Sequence, residues 1–442
     1  MDAMVVDSDS YPLQRKQADY MCQDERYLLR MQKYKGQQYS HLYYSRLHKF
    51  KEFLNGLVKK RWPNLPVCTV LGLEDGKECV IVGTLYKQMQ LKPSILDEYS
   101  KERTVVPIVQ PHNFVHSNDY LILEDDSGRV KLTGHILSPS MFVTGVVVAL
   151  HGKESSGGDF YVQSILEAGL PPQRSLHSEE NKYVVLVSGL LVGSGKSNPL
   201  QFQLLVDHLS GHSGDEQEQS MTSQIVRLVI AGDSVDIRQG LLAGQSLASK
   251  DQGRLVEPIK ELDLALTQLA AAMPVDIMPG PNDPANFSLP QQPLHKCLFP
   301  GASTYNTFVS ATNPHQFELD GVSFLGTSGQ NIDDLNKYSE AKEKVDFMER
   351  TLKWRHLAPT APDTLGCYPF TDKDPFVIED CPHVYFCGNQ KKYESRLLKG
   401  SEGQLVRLVC VPNFCETGTA VMVNIRSLEC HILTLSTSSL VG

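Results

Sequence analysis

Two kinds of stretch in this chain carry residues that could do chemistry. Gly193-Ser194-Gly195-Lys196-Ser197 ends like a phosphate-binding loop, where backbone amides cradle phosphate and a lysine reaches it. The full pattern needs a glycine at the position of Leu190, and Gly189 stands one residue too early. Asn198-Pro199 follows at once, so no helix is expected behind the loop and the stretch reads as an ordinary turn. The second kind is a polar signature closing an apolar run: Ser188-Gly189-Leu190, Gly232-Asp233, Gly280-Pro281-Asn282-Asp283 and Gly388-Asn389-Gln390. Carboxylates and imidazoles gathered at strand ends can hold two divalent ions that polarise phosphate and activate water. Here the strand ends offer Asp233 and Asp283 and no histidine. One carboxylate, Asp233, cannot hold two ions, and Asp283 reads as a turn or capping residue. His295, His315 and His383 are available as substitute ligands, and nothing in their spacing recommends them.

Buried strands must carry those ends. Residues 183–188 form an unbroken apolar run, and 226–231 and 275–278 read as further strands. Between the last two, Leu255, Ile259, Leu262, Leu266 and Leu269 recur at steps of four and three, which predicts a strand–helix–strand unit. The short apolar run 202–206 reads as another strand and 211–220 as a polar loop. Runs at 322–326, 384–387, 406–411 and 420–425 add strands, and a charged helix is expected over about 339–354. The result is a layered α/β domain over 180–435, with no internal repeat.

Upstream, 67–175 read as β-structure with strands at 79–89, 120–124, 130–134, 143–151 and 159–167. Asp126-Ser127-Gly128 supplies a hairpin turn, and Gly134 and Gly145 fall where a small barrel must bend. Five strands with a longer connection after the first suit an OB-fold barrel. Such barrels bind single strands through exposed aromatic and basic residues. These strands carry few of either, which favours a protein-contact scaffold. Residues 36–66 hold one helix with Tyr43, Leu47, Phe50, Leu54 and Leu57 on one face. Residues 1–35 and 436–442 read as flexible tails.

The 442 residues suffice for two domains, and 41% hydrophobic with 21% charged residues suits a globular protein. A formal net charge of -9 argues for protein partners over nucleic acid as the main contact. None of the ten cysteines forms a Cys-x-x-Cys pair, so reduced thiols are expected. No apolar run is long enough to span a bilayer and the start has no signal-peptide core, so an intracellular protein is expected.

The strand-end signatures resemble those of calcineurin-type metallophosphoesterases, whose pattern runs Asp-x-His, Gly-Asp, Gly-Asn-His-Asp/Glu, a lone His and Gly-His-x-His. Ser188 and Leu190 stand where the first pair of ligands belongs, while Asp233 keeps the bridging carboxylate. Pro281 and Asn282 take the Asn and His positions of the third motif, with Asp283 retained; Asn389 and Lys391 take both histidine positions of the last. The resemblance implies a vestigial site with no catalytic residue, no metal and no cofactor.

An OB-fold barrel followed by such a disabled domain is similar to the B-subunit family of eukaryotic replicative DNA polymerases, above all its polymerase delta branch. The residues that carry the likeness are CVIVGTLYKQMQLKPSIL (79–96), VVLVSGL (184–190), PVDIMPGPNDPANFSLPQQPLH (274–295), GVSFLGTSGQNIDDL (321–335), APTAPDTLGCYPF (358–370) and CPHVYFCGN (381–389). It spans about residues 36–435. It implies a two-domain α+β and α/β chain: an OB-fold barrel beside an inactive, calcineurin-like layered domain. It further implies a nuclear, non-catalytic regulatory subunit acting in DNA replication and repair. Members of the family act as a bridge from the catalytic subunit's cysteine-rich C-terminal domain to a third subunit that carries the link to the sliding clamp. A small fourth subunit is a further candidate partner, with DNA contacted weakly at most. Two alternatives stay open: a metal-dependent phosphodiesterase or nuclease with a reduced ligand set, and an independent single-strand binder.

Overall fold

The computed structural model describes residues 14–29, 36–93, 112–176, 178, 180–236 and 249–436, with the backbone alone over 249–255. The first strand, β1 (Tyr20–Cys22), pairs antiparallel with residues 317–319. The flexible tail expected over 1–35 is therefore corrected for 14–29. Arg15 donates to the carbonyls of Leu209, Thr222 and Ile225. The Arg227 guanidinium lies 3.5 Å from the centre of the Tyr20 ring. These anchors are tertiary, so the segment shows no periodicity of its own. The rest of that expected tail, and residues 437–442, lie outside the described residues.

Helix α1 (Tyr39–Arg61) buries Leu42, Arg46, Leu47, Phe50, Leu54 and Val58. Its buried face is turned slightly from the predicted stripe, because Tyr43 and Leu57 are only half buried. Next come β2 (Val67–Cys68), β3 (Glu78–Gln88), β4 (Tyr120–Glu124), β5 (Arg129–Thr133), β6 (Val147–Glu154) and β7 (Phe160–Leu166). β3 pairs with both β4 and β6, β4 with β5, β5 with β7 in parallel and β6 with β7. That ring closes a five-stranded barrel with OB connectivity. Alternation along β4 and β5 turns Leu121, Leu123, Val130 and Leu132 inward. The β4–β5 turn is held by Asp125, whose carboxylate accepts from the amides of Ser127 and Gly128. β6 begins four residues later than predicted, since Gly145 adopts φ +96° and the chain bends there.

The second body starts at β8 (Tyr183–Val187), followed by α2 (Pro199–Ser210), α3 (Glu216–Thr222) and β9 (Ile225–Ala231). The strand expected at 202–206 is thus part of a helix. Asn198 caps α2 by accepting from the amides of Leu200 and Gln201, Pro199 opens it and Gly211 closes it in the left-handed region. These are ordinary start and stop signals that a short apolar run obscured. α3 likewise occupies much of the expected polar loop 211–220. The chain continues through α4 (Ser249–Ala272), β10 (Val275–Met278), β11 (Phe308–Ser310), β12 (His315–Leu319) and β13 (Val322–Thr327). Then come α5 (Gln330–Tyr338), α6 (Lys344–Lys353), β14 (Val384–Gln390), β15 (Glu394–Lys399), β16 (Leu405–Pro412), α7 (Phe414–Thr417), β17 (Thr419–Asn424) and β18 (Cys430–Thr434). The charged helix expected over 339–354 is the shorter α6, and Ser339 instead closes α5, which precedes it.

Two six-stranded sheets result, ordered β1-β12-β13-β14-β16-β15 and β11-β10-β9-β8-β17-β18. Phe317, Phe324, Phe386 and Val409 of the first meet Val184, Leu186, Val229 and Val421 of the second in one apolar core. α2 and α4 cover the second sheet's other face through Leu205, Leu209, Leu262, Leu266 and Leu269. α5 and α6 cover the first through Ile332, Leu335, Phe347, Met348 and Leu352, and this layer is continuous with the barrel interior. The body is therefore a four-layer α/β/β/α arrangement, and together with the barrel the chain is a two-domain α+β protein.

Candidate functional site, an amide-lined cluster at the strand ends

β8, β9 and β10 run parallel, as do β13, β14 and β16, so their carboxyl ends gather at one end of the two sheets. The loops leaving them are pressed together where a side chain would not fit. A Cβ on Gly232 would lie 2.4 Å from the Ser328 Cβ, and one on Gly388 would lie 2.2 Å from the Ala231 carbonyl oxygen. Asp233 and Asn389 both hold positive φ, at 55° and 56°. Such strain in non-glycine residues persists where the surroundings fix it.

The structure brings five of the six predicted site residues together. Ser188, fully buried, donates from Oγ toward the carbonyls of Val411 and Pro412 and accepts from the Asn389 amide at 2.8 Å. Asn282 donates twice to Asp233, from its backbone amide at 2.8 Å and its side-chain amide at 2.9 Å, so both carboxylate oxygens are taken. Asp283 accepts from the amides of Ser234 (2.9 Å), Val235 (3.0 Å) and Gly280 (2.7 Å), and so ties the loop after β9 to the loop after β10. Burial, reinforced by the neighbouring Asp233, pushes the Asp283 carboxyl up to about 7. Leu190 is the exception: it belongs to the core under α2 and α4. Lys391 is exposed.

Around this cluster lies a neutral network that sequence reasoning missed. Asn313 donates to Gln291 at 2.8 Å and to Ser328 at 2.6 Å, and Gln330 donates to Gln291 at 2.9 Å. Gln291 in turn donates to the Gly280 carbonyl, and Asn389 to the Ser328 carbonyl. The residues come from separate loops, so no local spacing marks them. The oxygens of Asn389, Gln390 and Asn413 are buried acceptors with no hydrogen-bond donor. All are uncharged. A two-ion centre needs several anionic or imidazole ligands. This donor set does not fit one, because its carboxylates are bound by N–H groups and its remaining ligand atoms are neutral amides and hydroxyls.

The spare histidines are engaged elsewhere. His295 caps the short turn Lys296–Leu298, and His383 sits between Ser323 and the Arg174 carbonyl. His315 is fully buried between Asp24, 2.8 Å from Nδ1, and Asp276, 3.4 Å from Nε2. The Gly193–Ser197 loop does precede a helix, α2, contrary to expectation. Asn198 occupies that helix's first amides itself, and Gly193 packs against Pro258, where a Cβ would lie 2.3 Å from the ring.

Residues 38–165 match the family model for the DNA polymerase delta subunit OB-fold domain, and residues 184–395 match that for the B subunit of DNA polymerases alpha and epsilon. A DNA polymerase delta small subunit of Arabidopsis thaliana is 65% identical, covering 98% of this chain and 99% of its own length. A DNA polymerase delta small subunit of Oryza sativa subsp. japonica is 66% identical over 96% and 99%. DNA polymerase delta subunit 2 of Drosophila melanogaster is 38% identical over 90% and 93%. None of these relatives carries the name of a phosphodiesterase or a nuclease.

Proposed function

The chain belongs to the family of DNA polymerase delta small subunits, and from that premise we propose that it serves the polymerase as a non-catalytic bridge. Its layered body is a calcineurin-like phosphoesterase fold that no longer performs hydrolysis. The observation that carries this reading is Asp233: the one bridging carboxylate left in the pattern engages both oxygens with Asn282. Where a phosphoesterase would hold ions, this chain holds loops together. The retained strain at Asp233 and Asn389 then serves packing. The strand ends keep their shape because the amide network has taken over the metal's cross-linking role.

The partners follow from the family. The barrel and the layered body together receive the cysteine-rich C-terminal domain of the catalytic subunit, and another surface receives the third subunit, which links to the sliding clamp. A small fourth subunit is a further candidate partner, DNA is contacted at most weakly given the net charge of -9, and the site of action is the nucleus. Among the described residues no helix is long and apolar enough to cross a membrane. Interfaces of this kind bury large, partly apolar surfaces, so the chain expressed alone is expected to be poorly soluble or to self-associate.

Hydrolysis of a chromogenic phosphodiester with added manganese tests the non-catalytic half of the proposal. No turnover above buffer is expected. Turnover that disappears in Asp233→Ala would overturn it.

A further inference from the structure

Among the described residues, one group of side chains outside the strand-end cluster has metal-ligating chemistry. Cys22 closes β1, Asp24 lies in the short turn that follows, and His315 opens β12. One ligand atom from each lies within 4.8 Å of the others. Thiolate, carboxylate and imidazole are together the donor types that Zn²⁺ accepts in a tetrahedral site.

The surroundings hold each ligand as a metal site would. His315 turns Nδ1 toward Asp24 and Nε2 toward Asp276, and Asp276 is itself bound by Arg227 at 2.5 Å. A carboxylate on the far nitrogen is what fixes the orientation of a metal-bound imidazole. Asp24 is positioned by the amide of Gln316 at 2.7 Å and by that of Thr312 at 3.3 Å. Cys22 is exposed, which gives an ion a route in to the buried pair.

We propose that Cys22, Asp24 and His315 form a Zn²⁺ site, completed by one water, that staples the N-terminal segment to the edge of the first sheet. Binding forms Zn–S, Zn–O and Zn–N bonds and releases two protons to solvent, one from the thiol and one from Nδ1. The charge count stays at zero. Without metal, both ring nitrogens of His315 face carboxylates, which suits an imidazolium, and it and the Arg227 guanidinium balance the two aspartates. With it, Zn²⁺ and the guanidinium balance two aspartates and a thiolate. The exchange therefore leaves no net charge buried. A three-residue strand is a weak fastening by itself, and the metal would supply what the short pairing lacks.

The test is a Co²⁺ titration of the full chain in a non-coordinating reductant. A thiolate-to-cobalt charge-transfer band should saturate at one equivalent, disappear on adding Zn²⁺ and be missing in Cys22→Ser. Zinc at a hundred times its dissociation constant should raise the Tm by at least about 3 °C in the wild type and leave Cys22→Ser unmoved. His315→Gln should lose the band as well. Should that buried variant fail to fold, the exposed Cys22→Ser still decides. No band at stoichiometric Co²⁺, or a band that survives Cys22→Ser, overturns the proposal.

Discussion

Arg46 and Asp374 are 328 residues apart in sequence and 2.7 Å apart in space, with side chains 0% and 1% exposed. The same guanidinium donates to the carbonyls of Gly145, Pro359 and Ala361. One side chain on α1 thus joins the barrel to the layered body. Asp374 also accepts from His356 at 2.8 Å, and against the opposing effect of burial these two partners hold its carboxyl far below the usual carboxylate range. Burial and the nearby Arg46 lower the His356 pKa to about 4.

Removing one partner of the Arg46–Asp374 pair leaves the other buried without its opposite charge. Arg46→Met and Asp374→Leu should each lower the unfolding free energy by about 3–5 kcal/mol, because an unpaired charge stays buried. The double variant should cost clearly less than the sum of the two. Equilibrium urea denaturation reads all three. Strict additivity would mean that the pair does not act as a unit.

Gly145 is the second fastening. It sits at φ +96°, and a Cβ there would lie 2.0 Å from the Pro359 carbonyl oxygen and 2.7 Å from the Arg46 guanidinium. Gly145→Ala adds a steric clash to about 1–3 kcal/mol of backbone strain. Limited proteolysis should then cut between barrel and body far faster than in the wild type. An unchanged cleavage pattern would show that the contact is not needed for docking.

Lys87 on β3 donates to the Tyr338 carbonyl at 2.8 Å, and its side chain is 1% exposed. Burial lowers its pKa to about 8, although Asp119 opposes the shift. The unfolded chain keeps this proton up to about pH 10.5. Between about pH 8 and 10.5 the unfolded state therefore binds more protons, so stability rises with pH, and the full penalty is present below about pH 8. Lys87→Met should remove that rise. The check is the wild-type minus variant difference in urea midpoint across the window, and a difference flat with pH would contradict the assignment.

Much of this architecture was legible because local patterns and burial agreed. The alternation of β4 and β5 and the apolar run of β8 each predicted what folds. Legibility failed where a short apolar run suited two structures, as at α2, whose cap residues Asn198 and Gly211 outweigh the apolar run at 202–206. It failed also where structure is purely tertiary. β1 exists because the β12 edge, Arg227 and His315 hold it, and nothing within residues 14–29 encodes a strand. At the candidate site the strand-end motifs named Ser188, Asp233, Asn282, Asp283 and Asn389. The surrounding amides of Gln291, Asn313 and Gln330 were invisible, because their relation appears only when separate loops meet. Leu190 was placed at the site by motif position and belongs to the core by burial.

The bridging role is tested most directly by co-expressing this chain with the catalytic subunit's cysteine-rich C-terminal domain and the third subunit's N-terminal domain. The account predicts a stoichiometric ternary complex that survives high salt, since large, partly apolar interfaces are screened little. Failure of a folded, monomeric preparation to bind either partner would contradict it.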